Sequence, residues 1–155
     1  DHDIDSELAW DITTGGQTTL GDEIVVCVVE IGGAQWDTPD IIDNHWMNIH
    51  EIPSNGIDDD DNGFIDDYHG WNIASQDDDL SAGSHGTRVC SIIGSTGNNE
   101  TGVTGVNWDV KMMMVFLKLT TLPLLSVNRP SSNTCNKIFQ TSGCAFSISS
   151  KSTTL

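Results

Sequence analysis

Positive charge is scarce in this sequence: six Lys and Arg stand against 23 Asp and Glu, a formal net charge of -17. Nucleic-acid binding relies on clustered Lys and Arg to displace counterions from phosphates, so no nucleic-acid partner is expected, and cations are the better match. Long apolar runs are missing too. No stretch approaches the roughly 18 residues that a membrane span needs, and no span is expected. The four cysteines, Cys27, Cys90, Cys135 and Cys144, form no CxxC pair, which counts against zinc-knuckle and dithiol chemistry. They are read as isolated buried thiols, with a Cys135–Cys144 bridge left open for an oxidising compartment. Neither a starting Met nor a basic-then-apolar leader is present, which is what a processed product or a fragment looks like.

What is there is unevenly placed. Every acidic residue falls in positions 1–109, with Arg88 the lone base among them, while 110–155 carries five bases and no acid. Residues 6–12 read as a short helix with Leu8, Ala9 and Ile12 on its apolar face, stopped by Gly15 and Gly16. The β-branched run 24–29 suits a strand buried on both faces of a parallel sheet. Thr38 and Pro39 open a helical turn or two. Residues 55–80 are dense in Asp, Asn and Gly and read as loop, anchored by Phe64, Ile65, Tyr68 and Trp71. A closely packing helix is expected over 84–95, with Val89, Ser91, Ile92, Ile93 and Gly94 facing inward. A tight loop over 97–105 and a second inner strand over 110–116 follow, so that strand, helix and strand form a right-handed βαβ crossover. Beyond Phe116 the periodicity dissolves into a Ser- and Thr-rich stretch.

Two spacings carry chemistry. An acid, Glu30, stands just past the first buried strand in VVEIGG, and His85 opens a helix in SHGTRV. The order acid, then His, with a Ser far downstream, is one of the known orders of a hydrolytic triad. Over Ala9–Val115 the blocks AWDITTGG, IVVCVVEIGG, TPDI, NGIDDDDNGFIDDYHGWN, HGTRV, GNNETGVTGVNW and VKMMMV resemble, in family order, the N-terminal part of the catalytic domain of the subtilase (peptidase S8) family.

That resemblance implies a three-layer α/β fold with a parallel sheet, truncated here, in which residues 9–116 are a partial catalytic domain and 117–155 a non-matching tail, read as frameshifted or disordered. It also implies a serine-type endopeptidase acting on polypeptides, extracellular or at the cell envelope. His85 then matches the base that takes the proton from the serine. Glu30 stands where the family has Asp. Its extra methylene adds about 1.5 Å of reach, and a misplacement of about 1 Å can cost about 100-fold in rate. No Gly-Thr-Ser block occurs in the sequence, and Ser142 and Ser147 lack a strand-to-helix turn to expose a hydroxyl, so the chain alone is expected to be inactive. The alternative is a non-catalytic calcium-binding or protein-interaction module on a degenerate subtilase scaffold.

Structural calcium is the expected cofactor. Asp58, Asp60, Asn62 and Asp66, with Gly63 at the turn, alternate oxygen donors as the front half of a calcium loop does, without the distal Glu of an EF-hand. A second set resembles a family calcium loop: Asn99 and the carbonyls of Gly97, Thr101 and Val103, with Asp40 reaching in. Finally, Val110–Phe116 is expected to leave Met112, Met114 and Leu117 exposed to water, giving a partly folded or aggregation-prone chain.

Overall fold

A computed structural model describes residues 4–80 and 83–116 of the chain. Three parallel strands form its centre: β1 (Val25–Glu30), β2 (Gly70–Asn72) and β3 (Lys111–Phe116). Their spatial order is β1-β3-β2, so the last strand lies between the two earlier ones. Val25 pairs with Lys111 and Glu30 with Phe116, while Gly70 pairs with Met114 and Asn72 with Phe116. Glu30, Phe116 and Asn72 therefore share one level, at the carboxyl ends of the strands. Parallel strands need a crossover between them, and α2 (Ser84–Gly94) supplies it between β2 and β3.

The pleat of β3 divides its side chains between two faces. Met112 and Met114 join Val28, Ala34, Ile41, Leu80, Cys90 and Val110 in one core cluster, and Val89 and Ile93 of α2 pack against it. Met113 and Val115 alternate with them and are also buried. The helix comes closest at Gly94, where an added Cβ would lie 2.7 Å from Val110 Cγ1 and 3.0 Å from Met112 Sδ. The Cys90 thiol sits 3.3 Å from Met114 Sδ. Only a small residue at 94 permits that approach, and burying each methionine contributes about 1.5–3 kcal/mol. Among the described residues no helix is long and apolar enough to cross a membrane.

Several expectations are corrected. Met112 and Met114 are only 2% and 1% exposed, because β3 is the middle strand and not an edge; Leu117 lies outside the described residues. β1, at the side of the described sheet, is half-buried apart from Val28, and Val29 is exposed. Gly70–Asn72, read as loop, is a short strand. The N-terminal helix α1 spans only Ser6–Trp10 and buries no residue, with Leu8 and Ile12 exposed. It docks instead through Trp10, whose indole N–H donates to Val106 O at 2.9 Å and whose ring lies 5.1 Å from that of Trp108. Phe64 and Trp71 do anchor the long loop, 4.9 Å apart, whereas Ile65 and, on α2, Ile92 face solvent.

Candidate active site and acidic loops

Glu30 is the last residue of β1 and His85 the second of α2. The chain bends just past the end of β1, where it meets the start of α2. Gly33 takes a left-handed φ of 66°, which its missing side chain makes cheap, and its carbonyl faces the helix. An added Cβ at Gly83 would come within 2.0 Å of Gly32 O, and one at Gly86 within 2.1 Å of Gly33 O. Backbone packs on backbone here. The result is that both carboxylate oxygens of Glu30 lie 3.0 Å from His85 Nδ1.

The pair is asymmetric. The His85 side chain is 79% exposed and that of Glu30 only 13%. A carboxylate only accepts hydrogen bonds, so Nδ1 is the donor in this contact. A ring held in this way is chemically able to accept a proton at its other nitrogen. The extra methylene of Glu30 is accommodated beside Gly86: the Cβ that Gly86 lacks would lie 3.2 Å from Glu30 Cγ.

The acidic loop is held by side chains. Glu51, 4% exposed, accepts from the Asp59 and Asp60 amides at 3.0 and 3.3 Å through Oε1. Asp58 accepts from the amides of Asn62 and Gly63 at 3.0 and 2.7 Å, and Asp60 from Asn62 N–H and the Asn48 side chain, each at 3.0 Å. One carboxylate oxygen each from Glu51, Asp58 and Asp60 lie within 4.8 Å of one another. Asp66 does not join them. Its two oxygens accept from the Asn55 and Gly56 amides, both at 2.9 Å. Asn62 uses its oxygen on the Phe64 amide at 2.8 Å and its amide on Asp67. Burial pushes the Asp67 carboxyl up to about 6, against the lowering effect of the Asn48 and Asn62 bonds. Burial likewise raises Glu51, opposed by its two amide bonds.

In the second loop Asp40 Oδ2 accepts from Val103 N–H at 3.0 Å, and Gly102, at φ 56°, leaves room for it. Asn99 Oδ1 accepts from the Thr101 amide at 3.1 Å. Each loop also leaves one buried oxygen, Glu51 Oε2 and Asp40 Oδ1, without a hydrogen-bond partner among the described residues. Unpaired buried carboxylate oxygens are costly, and hard cations take such donors, so both loops fit calcium.

A profile of the subtilase family matches residues 21–152. The chain belongs to the subtilase family. Subtilisin-like protease 1 of Plasmodium berghei is 38% identical over 91 residues, 57% of this chain and 15% of that protein. The proteins of that name from Plasmodium falciparum and Plasmodium vivax are 36% and 35% identical over the same length, which is 13% and 14% of each. The chain thus spans about a seventh of these relatives. The subtilase match continues past Phe116, through the stretch that the sequence reading sets apart; residues 117–155 lie outside the described residues.

Trp36, His45 and His69 form a stack of rings. Trp36 lies 4.6 Å from His45 and 4.3 Å from His69, with interplanar angles of 16° and 21°. His45 Nε2 lies 3.2 Å from His69 O. Burial first, then the nearby His69, pushes the His45 imidazole down to about 4. Sequence reasoning missed this stack and missed Glu51. Neither His45 nor Glu51 stands in a spaced pattern; a Glu and a His isolated in a loop are the only signals. Cys90 is a free thiol, buried as expected and raised to about 11 by burial, whereas Cys27 is only half-buried. Cys135 and Cys144 lie outside the described residues.

Proposed function

We propose that the chain carries the acid and the base of a serine-type endopeptidase, with a three-layer subtilisin-like domain as its complete scaffold. The single observation that supports this most is the Glu30–His85 contact at 3.0 Å on a His85 side chain that is 79% exposed. A serine hydroxyl brought to Nε2 gives up its proton as it attacks a peptide carbonyl. His85 later returns that proton to the leaving amine while Glu30 stabilises the imidazolium. The substrate is a polypeptide, the compartment extracellular or the cell envelope.

Glu30 reaches His85 Nδ1 at 3.0 Å, within hydrogen-bond distance, which favours a working acid over a degenerate one. The nucleophile belongs to sequence beyond these 155 residues, so the chain alone does not acylate. Calcium has a structural role: Glu51, Asp58 and Asp60 would hold one ion, and Asp40 with Asn99 and the 97–103 carbonyls another. Bound there, the ions would neutralise packed carboxylates and fix the loops. The second reading, a non-catalytic calcium-binding or interaction module, draws on these acidic loops alone.

Labelling by a fluorophosphonate probe separates the two. In a full-length protein carrying the serine, His85→Ala should slow labelling by about 10,000-fold, as loss of a triad member does. Equal rates for variant and parent would reject the endopeptidase reading, and labelling of the 155-residue chain by itself would reject the placement of the nucleophile elsewhere.

A further inference from the structure

The strand end that bears Glu30 and the helix start that bears His85 meet through backbone, and contacts between carbonyls and glycine Cα atoms are not directional. Something must fix how far the two slide past each other. One side chain bonds to both. The Thr87 hydroxyl accepts a hydrogen bond from the Gln35 backbone N–H at 2.9 Å and donates to the Gly83 carbonyl at 2.8 Å. Gln35 lies on the turn that follows Glu30, and Gly83 caps the helix that carries His85 in its first turn. The same turn is held from behind by Ala34, wholly buried, whose N–H donates to Leu80 O at 3.1 Å. Thr38 Oγ1 in turn donates to Gln35 O at 2.6 Å.

The geometry points to Thr87 as a positioning residue for the Glu30–His85 pair, a role that rests on the endopeptidase reading above. Its hydroxyl is used as donor on the helix side and acceptor on the acid side, so it fixes the register of the two segments in one step. A misplacement of about 1 Å between a base and its orienting acid is enough to forfeit a large part of the rate. The register matters more here because Glu30 has an additional rotatable bond to order, and because Gly83 and Gly86 leave no side chain to stop the helix from sliding. A β-branched residue suits this position, since the stiff χ1 of Thr holds the hydroxyl in place.

The test reads the His85 ring in the full chain, labelled with ¹⁵N. With Glu30 accepting from Nδ1–H, the parent should show a downfield, slowly exchanging Nδ1–H signal and two distinct ring-nitrogen shifts. Thr87→Val keeps the shape and removes both hydroxyl bonds. The expected result is loss of the Nδ1–H signal and merging of the nitrogen shifts toward those of a free imidazole, with the dispersed amide spectrum retained. Thr87→Ser keeps the hydroxyl and should restore the parent ring signals. A Thr87→Val chain with the parent's ring spectrum overturns the inference, as does a Thr87→Ser chain that behaves like Thr87→Val. A Thr87→Val chain that loses its amide dispersion overturns it as well, since Thr87 would then support the whole fold. A parent without the Nδ1–H signal, unaltered by Glu30→Gln, rejects the pairing of Glu30 with His85 itself and takes the role of Thr87 with it.

Discussion

The corner that holds Glu30 and His85 and the loop that holds Glu51, Asp58 and Asp60 are built by opposite means. In the first, carbonyls of Gly32 and Gly33 press on Gly83 and Gly86, and the Glu30 and His85 side chains are almost incidental to the packing. In the second, the carboxylates are themselves the packing, each accepting from backbone amides of the same loop. A corner made of backbone leaves no room for an added methyl group. A loop made of carboxylates loses its parts one at a time, and a cation can replace what the amides do not satisfy.

The largest effect that sharpens this contrast comes from Gly86→Ala. Its Cβ would lie 2.1 Å from Gly33 O, an overlap with backbone that no rotamer relieves, so destabilisation of about 3 kcal/mol or more is expected in urea unfolding. A loss under about 1 kcal/mol, in the range of an ordinary surface change, would show that the seam is loose and the contrast mistaken.

Next comes the ring stack of Trp36, His45 and His69. His45 titrates near 4 when folded and near 6.5 when unfolded, so as pH falls the unfolded chain takes up the proton first. Its contribution to stability is complete above about 6.5 and lost progressively down to about 4, amounting to roughly 3 kcal/mol at most. His69, whose own imidazole burial pushes down, and Lys111 face it and oppose its protonation. His45→Gln should flatten the pH dependence of the unfolding midpoint across that window. A variant as acid-sensitive as the parent would mean that the stack does not couple to stability.

The smallest effect tests the loop. Calcium at ten times its dissociation constant should stabilise the chain by about 1.4 kcal/mol, raising the thermal midpoint, and the triple change Glu51→Gln, Asp58→Asn, Asp60→Asn should abolish the part due to this loop. Asp66→Asn, which touches only the amide bonds of Asn55 and Gly56, should leave the response intact. An unaltered midpoint in the parent at millimolar calcium would remove the metal from the account.

The contrast also explains which parts are legible in the residues. Glu30 and His85 can be found because short motifs encode backbone turns: glycines after a strand, and a small-residue helix start around the His. The β3 run reads as an inner strand, but its place in the middle of the sheet does not show, since a run of apolar residues has no neighbours written into it. The loop is legible in composition and not in assignment. Alternating Asp and Asn name Asp58 and Asp60 together with Asp66, yet Asp66 is drawn off by two amides and Glu51 is folded in from outside the pattern. Amides compete with a cation for the same oxygens, and sequence spacing does not say which wins. In α1 the apolar pattern misleads because a helix of five residues docks through one Trp and has no stripe to bury.

The strand order has a consequence for the nascent chain. Both earlier strands bond to β3 and not to each other, so during synthesis Val25–Glu30 waits for its partner until Lys111–Phe116 has left the ribosome. Through that interval its β-branched residues have no sheet to enter, while the acidic loop can close on its own short-range bonds. Among the described strands the non-local step in folding is therefore the insertion of Lys111–Phe116 between the two earlier ones, and only when it is complete do Glu30 and His85 belong to the same surface.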